Sequence, residues 1–200
     1  FKQKTAYEIL TCDWSSDVCS SDLRHVEEAM RLAPDSLDAR CNWAMLLQYR
    51  GQFGEALARW TELIDSGALA DDAKARLDRA MIRLLLGEFA IGWDEYEKRF
   101  DADRKAARDF GLARWQGEAL AGKSILVYGE QGVGDEIMFA SCLPDIIAAA
   151  DRVVIECSDR VETLFRRSFP TATVHGGKKT DSTHWLSDHV PVDYQVPIGS

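Results

Sequence analysis

The stretch KSILVYGEQGVGDEIMF spans residues 123–139. Its Ser124–Tyr128 portion is a continuous apolar run, which is typical of a parallel strand buried on both faces. A glycine-rich loop follows at residues 129–135, and a helix is predicted from Glu136 to about Ala150, with a kink before Pro144. The order strand, glycine loop, helix predicts an α/β layer built around a parallel sheet.

Three more strands are predicted in the carboxyl-terminal half. They lie at residues 152–157, 172–175 and 194–197, with a helix at 160–169 between the first two. Strands that alternate with helices indicate a doubly wound, Rossmann-like parallel sheet. We assign this domain to residues 123–200 and a linker to residues 105–122.

The amino-terminal half, residues 24–104, predicts repeated helix pairs. The sequence GQFGEAL at 51–57 is echoed 36 residues later by GEFAIGW at 87–93. An apolar helical pattern precedes each first glycine, which ends a helix at low cost because it accepts positive φ. Asp35-Ser36 is placed to cap the next helix. Stacked pairs present a groove for a peptide or partner domain, and the alternative is a passive spacer.

Several segments resemble known families. The helix pairs resemble tetratricopeptide repeats, which are helix-turn-helix units of about 34 residues. Residues 123–135 with Leu143-Pro144 resemble the first strand, loop and helix of heptosyltransferase-like glycosyltransferases of family nine, which have the GT-B fold. The segments GWDEYEKRF at 92–100 and RWQGEALAGK at 114–123 resemble the junction in bacterial proteins that fuse both parts. The resemblance therefore implies helical repeats followed by the amino-terminal lobe of a GT-B enzyme.

That resemblance implies a function. A sugar would pass from a nucleotide-sugar donor to a glycan or protein acceptor, with the repeats binding a partner or the acceptor. The family's catalytic carboxylate corresponds to Asp135, as general base. The neighbouring loop residues are expected to bind substrate, namely Glu130, Gln131, Gly132 and Gly134. No cofactor or metal is expected. Because the donor site of a GT-B enzyme lies mainly on its second lobe, we expect this chain to be an incomplete, inactive piece.

Other interpretations stay open. Asp135 would merely cap its helix in a non-catalytic scaffold protein with a degenerate glycosyltransferase-like lobe. Glu130 and Glu136 are alternative bases. The sequence GEALAGKS at 117–124 matches a P-loop literally, but a strand follows it where a helix is required, so we interpret it as a turn.

Composition narrows the functional classes. The 24 Lys and Arg residues against 33 Asp and Glu give a net charge of −9, so a nucleic-acid partner is not expected. No apolar run approaches the ~18 residues of a membrane span, and no signal peptide is evident. Beyond residue 23 the cysteines are Cys41, Cys142 and Cys157, which form no CxxC motif. A cytoplasmic protein is predicted.

The first 23 residues, FKQKTAYEILTCDWSSDVCSSDL, resemble the translation of a sequencing-library adapter. They show neither helical nor strand periodicity. We therefore expect residues 1–23 to be an artefact rather than native protein.

Overall fold

The computed structural model describes residues 16–102, 108–178, 182–188 and 191–200, with the side chains of 16–23 and 187–188 left out. The chain divides into two compact units, Phe1–Ala102 and Asp103–Ser200. The first is helical and the second is built on a parallel sheet, so the predicted combination of an α part and an α/β part is confirmed. We call them the helical unit and the α/β unit.

The helical unit is a series of helices joined by turns, and each of the first four packs on the next. Its helices are α1 Ser16–Leu32, α2 Leu37–Tyr49, α3 Phe53–Asp65, α4 Ala73–Leu85, α5 Phe89–Tyr96 and α6 Arg99–Ala102. Helix α4 begins and ends 36 residues after α2. Helix α5 begins 36 residues after α3. The turn glycines Gly51 and Gly87 have φ of 73° and 81°, which only glycine adopts without strain. The sequence repeat is thus a repeat of structure.

Helix α1 differs from expectation. Residues 1–15 lie outside the described residues, but residues 16–23 are helical and continue into the rest of α1. The sequence of residues 16–23 has no helical periodicity, yet these residues are helical. The physical reason is that extending an existing helix costs far less than nucleating one. That residues 1–23 are an artefact stays a prediction.

The core of the helical unit joins three helices. Trp60 and Leu63 of α3 are 3% and 1% exposed, and they cluster with Ala75 and Ile82 of α4 and with residues of α2. Gly92 of α5 is also buried, since a Cβ there would lie 2.8 Å from Leu84 Cδ2. Its repeat equivalent is Ala56, which is fully buried. Small residues at this position let the two helices of each pair approach closely.

The α/β unit is a five-stranded parallel sheet with the order β1-β5-β2-β3-β4. Its strands are β1 Ala113–Arg114, β2 Ser124–Tyr128, β3 Arg152–Ser158, β4 Thr173–Gly177 and β5 Tyr194–Pro197. Its helices are α7 Val133–Phe139, α8 Leu143–Ala149 and α9 Glu162–Ser168. Short 3-10 turns lie at Ala140–Cys142 and Thr183–Asp188.

Both faces of this sheet are covered. Ile125 and Val127 of β2 pack in one cluster with Leu143 and Phe165, which belong to α8 and α9. Leu126, between them, packs on the opposite face with Phe110 and Trp185 among others. This alternation explains why β2 is a continuous apolar run.

Two predictions about this unit need correction. The single kinked helix expected from Glu136 to about Ala150 is two helices, α7 and α8, with Pro144 in the first turn of α8, where its missing N–H costs nothing. The linker expected at 105–122 contributes strand β1, because Ala113 pairs with Tyr194 and Arg114 with Gln195 at the sheet edge. A two-residue strand is too short to leave an alternating pattern.

None of the helices in the part of the chain that the structure describes is both long and apolar enough to cross a membrane.

Candidate functional site

The carboxyl ends of the strands form one edge of the sheet, because all its strand pairs are parallel. The loops after β2, β3 and β4 surround a cavity of about 380 Å³ at that edge. We call it the strand-end pocket. Ligands of open α/β sheets bind beyond the carboxyl ends of the strands. This pocket is therefore the candidate site.

The pocket is lined by glycine backbone and by side chains of both charges. Its ionisable lining residues are Arg108, Glu136, Glu156, Asp159, Arg160 and Lys178. Bare backbone comes from Gly129, Gly132 and Gly177. Three acidic and three basic side chains leave the pocket without a single dominant sign of charge.

Glu136 ties the loop after β2 to the end of β3. The residue is 1% exposed, and its Oε2 accepts a hydrogen bond of 2.9 Å from the backbone N–H of Ser158. A Cβ on Gly129 would lie 2.5 Å from Glu136 Oε1. A larger residue at 129 would therefore have to displace the buried Glu136 carboxylate.

A second buried carboxylate lies on β3. Glu156 is 3% exposed and forms a salt bridge with the guanidinium of Arg108. Burial raises the pKa of Glu156 above its ordinary value, and the hydrogen bond from Arg108 opposes that rise. Arg108 also lies 4.8 Å from the centre of the Phe110 ring. The guanidinium is therefore held by a charge and an aromatic ring together.

The predicted base, Asp135, is engaged in local structure. Its Oδ2 accepts a hydrogen bond of 2.9 Å from the backbone N–H of Gly132, at the start of α7. The carboxylate is half-buried and is not part of the pocket lining. Asp135 thus caps the start of α7, as the alternative interpretation expected. Its catalytic role stays a prediction.

The other predicted site residues divide into two groups. Gln131 and Gly132 line the strand-end pocket. Gly134 is exposed and is not part of that lining. Glu130 is 5% exposed and lies toward Gly199, where a Cβ would come within 2.8 Å of Glu130 Oε1. The loop therefore presents only part of the expected set to the pocket.

Sequence reasoning missed most of the charged lining. Arg108, Glu156, Arg160 and Lys178 were not among the predicted site residues. Each except Arg108 closely adjoins the carboxyl end of a strand, β3 or β4. A position at the carboxyl end of a strand in a predicted parallel sheet is the sequence signal that could have identified these three residues. Within the described residues, no group of three His, Cys, Asp or Glu side chains is arranged to hold a metal ion.

Comparison with known proteins gives a match to Protein FlbA of Caulobacter vibrioides. The two are 38% identical over 186 residues, which cover 86% of this chain and 31% of FlbA. The chain thus spans about a third of the length of the curated relative it matches. No family model matches the chain. No solved structure matches it.

The identification as a tetratricopeptide-repeat protein fused to a heptosyltransferase-like domain is therefore wrong. The match is to FlbA, and no family model for either part matches. The motifs behind the identification, at 92–100, 114–123 and 129–135, are short runs of glycine, aromatic and charged residues. Such runs recur in unrelated proteins, because turns and helix ends require the same residue types.

Proposed function

We propose that the protein is a glycosyltransferase of GT-B type, an enzyme with two lobes. The α/β unit is the lobe that binds the acceptor. The whole protein transfers a sugar from a nucleotide-sugar donor to a glycan or protein acceptor. The observation that carries this proposal is the strand-end pocket, with its mixed carboxylate and cationic lining at the carboxyl edge of the sheet.

The pocket chemistry favours a polyhydroxylated ligand. Carboxylates accept hydrogen bonds from sugar hydroxyls, whereas guanidinium and ammonium groups donate to the same oxygens. The charged lining residues that are exposed are Asp159, Arg160 and Lys178, so a ligand meets both an acceptor and donors there. The cavity of about 380 Å³ lies in the usual range for small-molecule sites, ~300–1,000 Å³. A monosaccharide unit of an acceptor is the ligand class that suits this lining.

The reaction needs a base. As the acceptor oxygen attacks the anomeric carbon, its proton passes to a carboxylate, and the bond to the nucleoside diphosphate breaks with its electrons on the leaving oxygen. Asp135 is the proposed base, and its Oδ2 accepts a hydrogen bond from Gly132 N–H. Glu136 is the rival, since it lines the pocket.

The proposal places the protein in the cytoplasm. Cys41, Cys142 and Cys157 are all free thiols. Burial raises the pKa of Cys157 to about 12, so this thiol stays protonated and is no nucleophile. Unpaired cysteines suit a reducing compartment.

An Asp135→Asn substitution in the whole protein tests the base. Asparagine keeps an oxygen for the Gly132 N–H but cannot take a proton, so we expect kcat to fall by about 10²–10⁴-fold with the fold unchanged. The assay measures sugar transfer and nucleotide release with UDP-, GDP-, ADP- and CMP-activated sugars. Asp151→Asn, an exposed aspartate before β3, is the matched control.

Each other outcome of that assay has a definite meaning. If Glu136→Gln abolishes transfer and Asp135→Asn does not, Glu136 is the base. If the unmodified protein transfers no sugar from any of these donors, the enzymatic proposal is overturned.

An Arg160→Gln substitution tests the pocket itself. Arg160 is an exposed part of its lining, and we expect its loss to weaken binding of free hexoses or N-acetylhexosamines about tenfold. Saturation-transfer NMR on the 200-residue chain measures this. Arg167→Gln, on the exposed side of α9, removes the same charge away from the pocket. Equal loss in both variants would mean that general charge, rather than the pocket, governs binding.

A second candidate function is a non-catalytic interaction protein with a degenerate lobe. The observation that favours it is the Asp135 cap, because a carboxylate that only holds Gly132 N–H serves local structure. Full biological function of the Asp135→Asn variant in cells would support this candidate.

A further inference from the structure

Two exposed cations line the strand-end pocket from neighbouring strand ends. Arg160 follows β3 and Lys178 follows β4, and both belong to the pocket lining. The two strands are adjacent in the sheet, with Ser158 paired to Gly177 at their carboxyl ends. The chain segments stay together beyond the sheet, because Asp159 N–H donates a hydrogen bond of 3.2 Å to the carbonyl oxygen of Gly177. The pocket therefore receives both positive charges from one side of its rim.

The buried carboxylates of the pocket already have partners within the protein. Glu156 forms its salt bridge with Arg108, and Glu136 accepts its hydrogen bond from the backbone N–H of Ser158. Glu156 is 3% exposed and Glu136 1%, so neither offers a ligand more than a trace of surface. The charged side chains that a ligand can contact are therefore the exposed ones, Asp159, Arg160 and Lys178.

The acidic residue of α9 does not neutralise Arg160. Glu162 instead pairs through Oε1 with Arg166 Nη2, at 2.6 Å. It also lies against β4, since a Cβ on Gly176 would come within 2.6 Å of Glu162 Cδ. Among the residues that the structure describes, no acidic side chain forms a salt bridge with Arg160. The Arg160 guanidinium is therefore able to pair with a negatively charged group of a ligand.

These three exposed charges favour a ligand that carries one carboxylate and several hydroxyls. A guanidinium and an ammonium both donate to carboxylate oxygens, and hydrogen bonds between charged groups are about twice as strong as neutral ones. Asp159, next to Arg160 in sequence, accepts a hydrogen bond from a hydroxyl instead. A phosphate monoester suits the site less, because its charge of about −1.5 to −2 is repelled more strongly by Asp159.

We propose that the strand-end pocket selects an acidic sugar of the uronic acid type, whose carboxylate pairs with Arg160 and Lys178 and whose hydroxyl donates to Asp159. This inference rests on the proposed function, since it names the class of acceptor sugar that the pocket binds. Arg160 and Lys178 are then the residues that distinguish an acidic sugar from a neutral one.

The test compares D-glucuronate with D-glucuronamide, two sugars of the same shape that differ in charge at a single group. Titration of the isotope-labelled 200-residue chain follows backbone amide shifts by NMR. We expect the uronate to bind at least about tenfold more tightly than the amide at low salt, with shifts at the ends of β3 and β4. The preference should shrink as salt rises, because salt screens exposed charges. The galacturonate and mannuronate pairs cover other hexose configurations.

Substitutions at the three exposed charges should move the ratio of uronate to amide affinity in opposite directions. Arg160→Gln and Lys178→Gln should each lower the ratio by at least about threefold, because each removes a charge that attracts only the uronate. Asp159→Asn should raise it, because it removes the exposed charge that repels the carboxylate. Arg167→Gln, exposed on α9 and outside the pocket lining, should leave the ratio unchanged. A ratio of two ligands on one variant does not depend on how stable that variant is.

The possible outcomes separate this inference from the proposed function. Equal binding of uronate and amide overturns the inference and leaves a pocket for neutral sugars. No binding of either compound in any configuration overturns both the inference and the assignment of the pocket to an acceptor sugar. Binding of glucose-6-phosphate more tightly than the uronate, or of acetate as tightly, also overturns the inference, because the pocket would then recognise a phosphate or a bare anion.

Discussion

A Glu95→Ala variant is expected to lose about 3–5 kcal/mol of unfolding free energy in the helical unit. Glu95 Oε2 accepts hydrogen bonds of 3.0 Å from Arg79 Nε and 3.1 Å from Arg83 Nη1. Arg79 is 8% exposed and Glu95 9%. Removing the carboxylate leaves a buried guanidinium without its main counter-charge, and that desolvated charge is the source of the loss.

Amide hydrogen exchange in α4 and α5 measures this effect within the unit. Asp94→Ala, an exposed neighbour on the same helix, should change the unfolding free energy by less than about 0.5 kcal/mol. A combined Arg79→Met/Glu95→Leu variant should recover much of the loss, since apolar replacement of a buried ion pair is often neutral. A combined variant as unstable as Glu95→Ala would show that packing, not charge, causes the loss.

An Arg108→Met variant is expected to lower the unfolding free energy of the α/β unit by about 3–5 kcal/mol. Methionine keeps the apolar stem but leaves Glu156, 3% exposed, without its guanidinium. Burial already raises the pKa of Glu156, and loss of Arg108 raises it further.

The pH dependence has a definite sign. A carboxyl group whose pKa is raised by folding binds more protons in the folded state, so its stabilising contribution is lost as pH rises through the raised pKa. The deficit of Arg108→Met relative to the unmodified chain should therefore be smaller at about pH 5 than at about pH 8. Hydrogen exchange at the amides of β3 measures this stability deficit at both pH values.

Two further variants identify the cause of this loss. Arg108→Met/Glu156→Met should recover stability and lose the pH dependence. Arg166→Met breaks the exposed salt bridge to Glu162 and should cost no more than about 1 kcal/mol. A deficit of Arg108→Met that is the same at both pH values would contradict the assignment to Glu156.

The strands and the helix repeat could be predicted from local sequence. Ser124–Tyr128 and Tyr194–Pro197 were predicted with the bounds that the structure has. Ser36 caps α2 as expected, its Oγ accepting from Ala39 N–H. Each of these signals lies within a few residues of the element that it specifies, because capping and strand burial depend on neighbouring positions.

The candidate site could be predicted only where it belongs to one loop. Gln131 and Gly132 were predicted and line the pocket, whereas Arg108 reaches Glu156 across 48 positions of the chain. No local pattern states that the segment before β1 meets β3. The strand order alone would keep them apart, because β5 and β2 lie between β1 and β3. The contact arises because Phe110 and Leu112 pack on the sheet face formed by Leu126 and Val154.

The sequence by itself determined where helices and strands form, since hydrophobic period, glycine turns and capping residues act over one or two turns of chain. Only the tertiary structure decided which charged side chains are buried and with what partner. Glu95 looks like any acidic residue of an amphipathic helix until α4 places Arg79 and Arg83 against it. The physical reason is that burial and pairing depend on contacts between residues distant in sequence, and these exist only after the elements have packed.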